Sequence, residues 1–290
     1  MKYAFIAENI MNFPVMVLCA TLGVSRSGYY SWSTLASTKA RAKYELIRTM
    51  EKIFLGSRNT YGSPRMHRTL KALGFRVAKR TVERLMRENR IRAKKARKYV
   101  ITTDSKHSLP VAENLVARHF DRGKENSVWL SDITYIPTKK GWAYLACVMD
   151  AHTRKIVGWS LADHMRASLV SQALEGAVAR VRAPRGIILH SDRGVQYASA
   201  EYRQILKSRG FIQSMSRRGN CWDNAPMESF FDTFKTEHMF HETYVDADDA
   251  RSKIFEWIEV FYNRQRIHSS LGYLSPTCFE KRSVAQARAA

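Results

Sequence analysis

Asp132 sits mid-strand in Trp-Leu-Ser-Asp-Ile-Thr-Tyr, between Leu130, Ile133 and Tyr135. Strand interiors disfavour aspartate, so a carboxylate there calls for a specific partner; an ordinary buried ion pair would also account for it. Asp192 ends the run Ile-Ile-Leu-His-Ser-Asp-Arg-Gly, where a buried strand passes into a glycine-containing loop, a frequent place for functional groups. Glu228 lies early in a helix that Asn224 can cap, with Pro226 in its first turn. On that helix Met227, Phe230, Phe231 and Phe234 form an apolar stripe, and Glu228, Asp232 and Lys235 form a polar one beside it. Each acid alone is a weak signal. Together, Asp132, Asp192 and Glu228 are the hard oxygen ligands that two Mg²⁺ (or Mn²⁺) ions about 3.5–4 Å apart require for phosphodiester hydrolysis or transfer. Lys235, two turns beyond Glu228, is placed to meet a substrate phosphate from the same helix face.

The elements that must position these acids follow from periodicity. Residues 128–136 alternate and are rich in β-formers, and 142–150 and 155–161 follow after hairpin-sized gaps. An amphipathic helix over 168–181, a short buried strand over 186–191 and a helix over 200–208 come next. Three antiparallel strands leading into alternating helix and strand predict a mixed α/β sandwich.

The front of the chain reads differently. Pro14–Ala20 is a short apolar helix, Leu22-Gly23-Val24 a turn, and Ser25 caps a second helix through Tyr30 and Trp32. A second helix-turn-helix begins with Ser63 as cap and Pro64 at the first position, carries Met66, Leu70 and Leu73, and breaks at Gly74. In its following helix Val82, Leu85 and Met86 face inward, which leaves Lys79, Arg80, Arg84 and Arg87 outward, as a major-groove reader needs. The run Arg90–Lys98, including Lys94 and Lys95, reads as a basic tether tracking phosphate backbone. The resulting division is a first helix-turn-helix over 1–40, a second with its basic tether over 41–104, a linker over 105–122 and a catalytic domain over 123–290.

Charge agrees with that division. The 290 residues carry a net charge of +22, which points to a polyanionic partner. Residues 1–120 hold 24 Lys and Arg against 7 Asp and Glu, whereas residues 121–290 hold 24 against 19, so the front is the gripping end. The four cysteines, Cys19, Cys147, Cys221 and Cys278, are scattered without a C-x-x-C pair and fit a reducing compartment rather than a disulfide framework or zinc knuckle. No apolar run approaches a membrane span and the N-terminus lacks an export pattern, so the expected location is the cytoplasm, at the nucleoid.

Thirty-five residues separate Asp192 from Glu228, and Lys235 stands seven after it. With Trp129-Leu-Ser-Asp132-Ile-Thr and His190-Ser-Asp192-Arg-Gly, this resembles the DD(35)E signature of integrase-like transposases. The stretches 216–229 (Ser-Arg-Arg-Gly-Asn-Cys-Trp-Asp-Asn-Ala-Pro-Met-Glu-Ser) and 262–272 (Tyr-Asn-Arg-Gln-Arg-Ile-His-Ser-Ser-Leu-Gly), with Pro276 and the front segment Tyr61-Gly-Ser-Pro-Arg65, are similar to the OrfB proteins of the bacterial insertion-sequence-three family, relatives of retroviral integrases. The resemblance implies an RNase H-like catalytic fold, a mixed five-stranded sheet flanked by helices, with Asp132, Asp192 and Glu228 as catalytic and metal-holding acids. It further implies cleavage and strand transfer on double-stranded DNA, at terminal inverted repeats and into a target, by a homo-oligomer assembled on DNA. A frameshift fusion with an upstream OrfA product belongs to the same implication, and no long heptad run of that kind exists in this chain. The ligand spacing of the His/Cys zinc module of retroviral integrases is not found in this sequence either.

Secondary candidates read as structural: Asp150 as a turn residue, His190 as a packed strand-end histidine, and His238 and His241 as surface histidines. The cluster Tyr262, Asn263, Arg266 and His268 reads equally as a helix-terminal network or as a contact to DNA or the catalytic helix. Two other functions remain consistent with the acids: an RNase H-like nuclease or junction resolvase, and a DNA-binding protein without enzymatic activity.

Overall fold

The computed structural model describes residues 2–94, 109–181, 183–218 and 220–289. They form two compact units, Met1–Ala93 and Lys94–Ala290.

The first unit is all-helical: α1 (Lys2–Asn9), α2 (Val15–Thr21), α3 (Arg26–Gly56), α4 (Ser63–Ala72) and α5 (Lys79–Glu88). Ser25 caps α3 as the sequence indicates, its hydroxyl accepting from the Gly28 amide at 3.0 Å. The helix then runs 31 residues instead of stopping near Trp32, because no helix breaker intervenes between Gly28 and Gly56. It therefore passes through the boundary read at 40/41 and serves two apolar clusters, one around Ile6, Leu18, Cys19 and Tyr29 and one around Met50, Met66, Leu70, Val82, Leu85 and Met86. Two local readings change. Gly62, not Ser63, holds the cap position of α4, and the Ser63 hydroxyl meets Glu83 at 3.4 Å instead. Leu73 is 59% exposed, since α4 closes at this residue and Gly74 turns the chain away at φ +90°.

The second unit is built on β1 (Val128–Thr138), β2 (Gly141–Asp150), β3 (Ile156–Ala162), β4 (Ile188–Ser191) and β5 (Ile212–Met215), in the order β3-β2-β1-β4-β5. The first three strands are antiparallel; β4 runs parallel to β1, and β5 parallel to β4. The helices are α6 (Ala167–Val181), α7 (Val195–Ala198), α8 (Ala200–Arg209), α9 (Ala225–Glu237), α10 (Ala247–Phe255) and α11 (Pro276–Ala289), and α10 continues as a π-helical stretch, Glu256–Gln265. Alternation along β1 sends neighbours to opposite faces. Val128 and Leu130 pack with Met227, Phe230, Phe234 and Trp257 on one side, while Trp129 packs with Leu169, Ala173, Tyr197 and Tyr202 on the other. Gly158 lets α6 lie close on β3, since a Cβ there would come within 2.3 Å of the Ala173 carbonyl. This layered mixed sheet is the RNase H-like arrangement.

The segment read as a linker is bound where it is described. Val116 is buried in the α9-side core, and the Leu115 amide donates to Ser214 Oγ at 2.9 Å.

Candidate active site

The register of the sheet brings the first two acids together. Parallel pairing of β1 with β4 matches Val128 to Ile188, Trp129 to Leu189 and Leu130 to His190. The pairing ends there, so Asp132 and Asp192 each lie two residues past the last matched pair, on adjacent lengths of chain. By alternation Asp132 shares the face of Val128 and Leu130, the face covered by α9. Asp192 follows the last residue of β4, and its Oδ1 accepts from the Gly194 amide at 2.9 Å. A Cβ on Gly194 would stand 3.1 Å from that oxygen and 3.0 Å from Gln196 Oε1, so the glycine after Asp-Arg permits a tight turn around the carboxylate.

Glu228 arrives from the third element. The Phe230, Phe231 and Phe234 stripe of α9 is buried in the core, which fixes the helix rotation and turns Glu228 to the edge of the sheet, partly buried. Asn224 holds the cap position of α9, yet its side chain does not cap the helix. It reaches the sheet instead, Nδ2 donating to the Ser131 carbonyl at 3.3 Å. The N-terminus of the Glu228 helix is thus tied to the residue before Asp132. Asn224 Oδ1 is buried without a partner among the described residues.

Electrostatics registers the convergence. Asp132 is held well above the usual carboxylate range, first by burial, then by the Asp192 charge, with Glu228 adding to it; the Ile133 amide, donating to Asp132 Oδ1 at 2.8 Å, and Lys235 oppose the rise. Burial raises Glu228. Lys235 is lowered by burial, against the pull of Asp132 and Asp232, so its ammonium lies within the field of the acids. Hard oxygen donors of this kind match Mg²⁺ or Mn²⁺. Among the described residues no group of three or more His, Cys, Asp or Glu side chains is drawn around one point as an ion-holding cluster.

The loop leading into α9 holds a buried carboxylate, Asp223, that the sequence reading places only in a loop able to order on DNA. Asp223 is completely buried and accepts from the Arg217 amide at 3.0 Å, Arg217 Nε at 2.9 Å and Nη2 at 2.8 Å, Asn114 Nδ2 at 2.9 Å and Arg118 Nε at 3.3 Å. The hydrogen bonds from Arg217 hold its carboxyl well below the usual range, and burial opposes them. The sequence signals for it are its place in the 216–229 stretch and an arginine six residues before it. We expect Asp223→Asn to cost about 2 kcal/mol at neutral pH, from hydrogen bonds to a charged group whose arginine partners remain half exposed. Because the folded carboxyl titrates below its unfolded value, its stabilisation is complete above the ordinary range and is lost as pH falls below about 4. Thermal melts of both proteins should therefore keep their gap from pH 7 to about pH 4 and narrow it as the pH falls to 3; a gap that stays constant throughout would remove the carboxylate from the account.

The secondary candidates resolve individually. Asp150 accepts from the amides of Asn126 and Thr153, each at 2.7 Å, and from Thr153 Oγ1 at 2.8 Å, which makes it a turn residue. His190 is buried between Ser214 Oγ and Ser216 Oγ, and burial lowers it to about 4. His238 is not a surface histidine: it is 3% exposed and stacks on Trp257 at 5.8 Å. The helix register that buries Phe234 carries the residue four later inward as well. Arg266 forms a buried ion pair with Glu237, and Asn263 bonds the backbone of Ile156 at both its amide and its carbonyl.

Of the basic residues read as DNA-binding, Lys79, Arg80, Arg84 and Arg87 are exposed on α5, with Lys79 and Arg84 paired to Glu83 and Glu88. The Lys94 ammonium donates to the Glu237 carbonyl at 3.1 Å, at the end of α9. Lys95 lies outside the described residues.

The matches to known proteins define a polynucleotidyl transferase core. Residues 122–221 and 209–276 each match the integrase core domain family, and residues 41–99 match an HTH-like domain. The chain is 43% identical over 266 residues to "Insertion element IS600 uncharacterized 31 kDa protein" of Shigella sonnei, covering 91% of this chain and 98% of that one. It is 39% identical over 288 residues to the transposase InsF for insertion sequence IS3A of Escherichia coli (strain K12), covering 98% and 100%. A structure of the HTLV-2 integrase catalytic core domain in complex with magnesium aligns at 15% identity with a TM-score of 0.42, over 53% of this chain and 95% of that one. The chain belongs to the insertion-sequence-three family of transposases.

Proposed function

We propose that Asp132, Asp192 and Glu228 are the catalytic acids of this transposase, and that they hold two Mg²⁺ or Mn²⁺ ions at the ends of its insertion sequence. The observation that carries this reading is geometric: β1, which bears Asp132, pairs with β4, which ends one residue before Asp192, and Asn224 ties the start of the Glu228 helix to Ser131. Bound there, the ions would activate the attacking oxygen and stabilise the departing one. The chain's own residues do the rest. Lys235 supplies a cation from the face of α9 that carries Glu228, Asn224 anchors that helix to β1, and Asp223 braces the loop in front of it. The reaction is cleavage at the terminal inverted repeats, followed by attack of the freed 3′ hydroxyl on target duplex. Joining two ends calls for a homo-oligomer on DNA, and a frameshift fusion with an upstream OrfA product fits the same scheme. No described helix is long and apolar enough to cross a membrane, which agrees with work in the cytoplasm, at the nucleoid.

The test incubates the full chain with duplex element ends and a target duplex in Mg²⁺ or Mn²⁺. The expected result is metal-dependent nicking and a joined product. Nicking without joining would favour a nuclease or resolvase; binding with neither would leave only a DNA-binding protein.

Duplex binding is assigned to α5 with Lys94 and Lys95. Each phosphate contact removed takes about 0.9 from the slope of log affinity against log salt. Replacing Lys79, Arg80, Arg84 and Arg87 together by alanine should flatten that slope by about 3.6, if each meets one phosphate, and weaken binding. A salt titration giving an unaltered slope would take α5 off the DNA.

A further inference from the structure

Trp222 is 66% exposed, although an indole is among the side chains with most to gain from burial. It lies in the single 3₁₀ turn Cys221–Asn224, directly before α9. Both residues after it are fixed. Asp223 is completely buried in its arginine clamp, and Asn224 is 5% exposed and bonded to the Ser131 carbonyl. The indole is therefore presented outward from a pinned backbone, so its exposure is not the accident of a loose loop. Along the chain it precedes Glu228 by six residues, which the rise of a 3₁₀ turn and an α-helix makes about 10 Å, or about three base steps. Arg217 and Arg218, both exposed, stand on the same loop.

A rigid exposed aromatic on a loop that also carries two arginines, one short step along the chain from carboxylates that must reach a single phosphodiester, has the makings of a platform for an unpaired base. Duplex DNA cannot deliver one strand deep into such a site without local opening, which costs a few kcal/mol. Stacking on an aromatic face offsets that cost and tolerates any base. We propose that Trp222 stacks on a nucleotide within the last three of the DNA end and holds it unpaired while the scissile phosphate sits at the acids. This deepens the transposase reading and rests on it for the position of the DNA end.

The test uses the full chain and element ends carrying 5-iodouracil at each of the last three positions, irradiated in EDTA so that no cleavage is needed. Wild-type protein should crosslink through Trp222; Trp222→Ala should lose the crosslink while keeping its circular dichroism, and Trp222→Phe should keep it. In Mg²⁺, Trp222→Ala should cleave fully paired ends on the order of tenfold to a hundredfold more slowly, equivalent to about 1.4–2.8 kcal/mol. Ends synthesised with three unpaired terminal nucleotides should recover most of that loss. Cleavage by wild-type protein with no crosslink at Trp222 overturns the stacking role, as does an equal defect of Trp222→Ala on paired and unpaired ends. A Trp222 crosslink without any cleavage sustains stacking and defeats the catalytic reading instead.

Discussion

Asp132→Asn is expected to lower strand cleavage by roughly a thousandfold or more while raising the melting temperature of the metal-free protein. The first effect follows from removing one of three charged oxygen ligands. Metal stabilisation of transition-state charge is worth several kcal/mol, and each 1.36 kcal/mol is a factor of ten in rate. The second follows from the sign of the perturbation at this carboxyl. Burial and the Asp192 and Glu228 charges raise it well above its usual range, so the ionised form is disfavoured in the folded protein and costs stability as pH rises above the unfolded value. Asparagine keeps an oxygen for the Ile133 amide and removes the repulsion. Cleavage of an end duplex in Mg²⁺ and thermal melts in EDTA, both at pH 7, measure the two effects. Asp192→Asn and Glu228→Gln should share the loss of cleavage, with DNA binding by gel shift retained in all three. Full cleavage by any one variant would remove that acid from the site, and loss of cleavage with a lowered melting temperature would mark Asp132 as structural.

Arg266→Ala carries the largest expected loss of stability. Its guanidinium meets Glu237 twice, Nε to Oε2 and Nη2 to Oε1, each at 2.7 Å, with 3% and 9% of the two side chains exposed. Nη1 faces the His268 ring at 3.3 Å. Removing one partner strands a buried carboxylate, which costs about 3–5 kcal/mol. For a unit the size of Lys94–Ala290, that lowers the melting temperature by roughly 6–20 °C, at about 2–4 °C per kcal/mol. Arg266→Lys keeps the charge without the two-pronged geometry and should fall between. The paired change Arg266→Met with Glu237→Leu should recover much of the loss, because the uncompensated charge is gone. A calorimetric scan in which Arg266→Ala melts within 2 °C of wild type would show that the pair holds nothing. Since Glu237 closes α9, the helix that carries Glu228, a loosened pair should also reduce cleavage at temperatures well below the melt.

The two predictions differ in how far the sequence foretells them. Asp132, Asp192 and Glu228 are visible along the chain because each breaks a local rule: an acid inside a strand, at a strand end, on a polar stripe beside a phenylalanine face. Arg266 was visible only as part of a polar cluster with two readings, and its partner lies 29 residues away, on another helix. The same holds for Asp223, whose clamp reaches back to Arg118 and Asn114, 105 and 109 residues distant. His238 was misread for a related reason. Its burial depends on Trp257, which the chain brings to it only through the packing of α9 against the π-helical stretch.

Local patterning determined most of the strands and helices, though not α1, the full length of α3 or β5, and it showed that the front is basic and helical and that three acids stand at element positions suited to chemistry. Periods of 2 and 3.6 residues, turn residues and charge counts are properties of neighbours in sequence, and they can be read without a fold. β5 escaped that reading because four residues are too few to show a period. The tertiary structure decided which residues meet: the pairing of β1 with β4, the Asn224 bond that draws α9 to β1, the Asp223 clamp before that helix and the buried Arg266–Glu237 pair at its end, and the outward placement of Trp222. Those are contacts between distant parts of the chain, chosen when two apolar faces close on one sheet, and the free energy that selects them exists only once both faces are present.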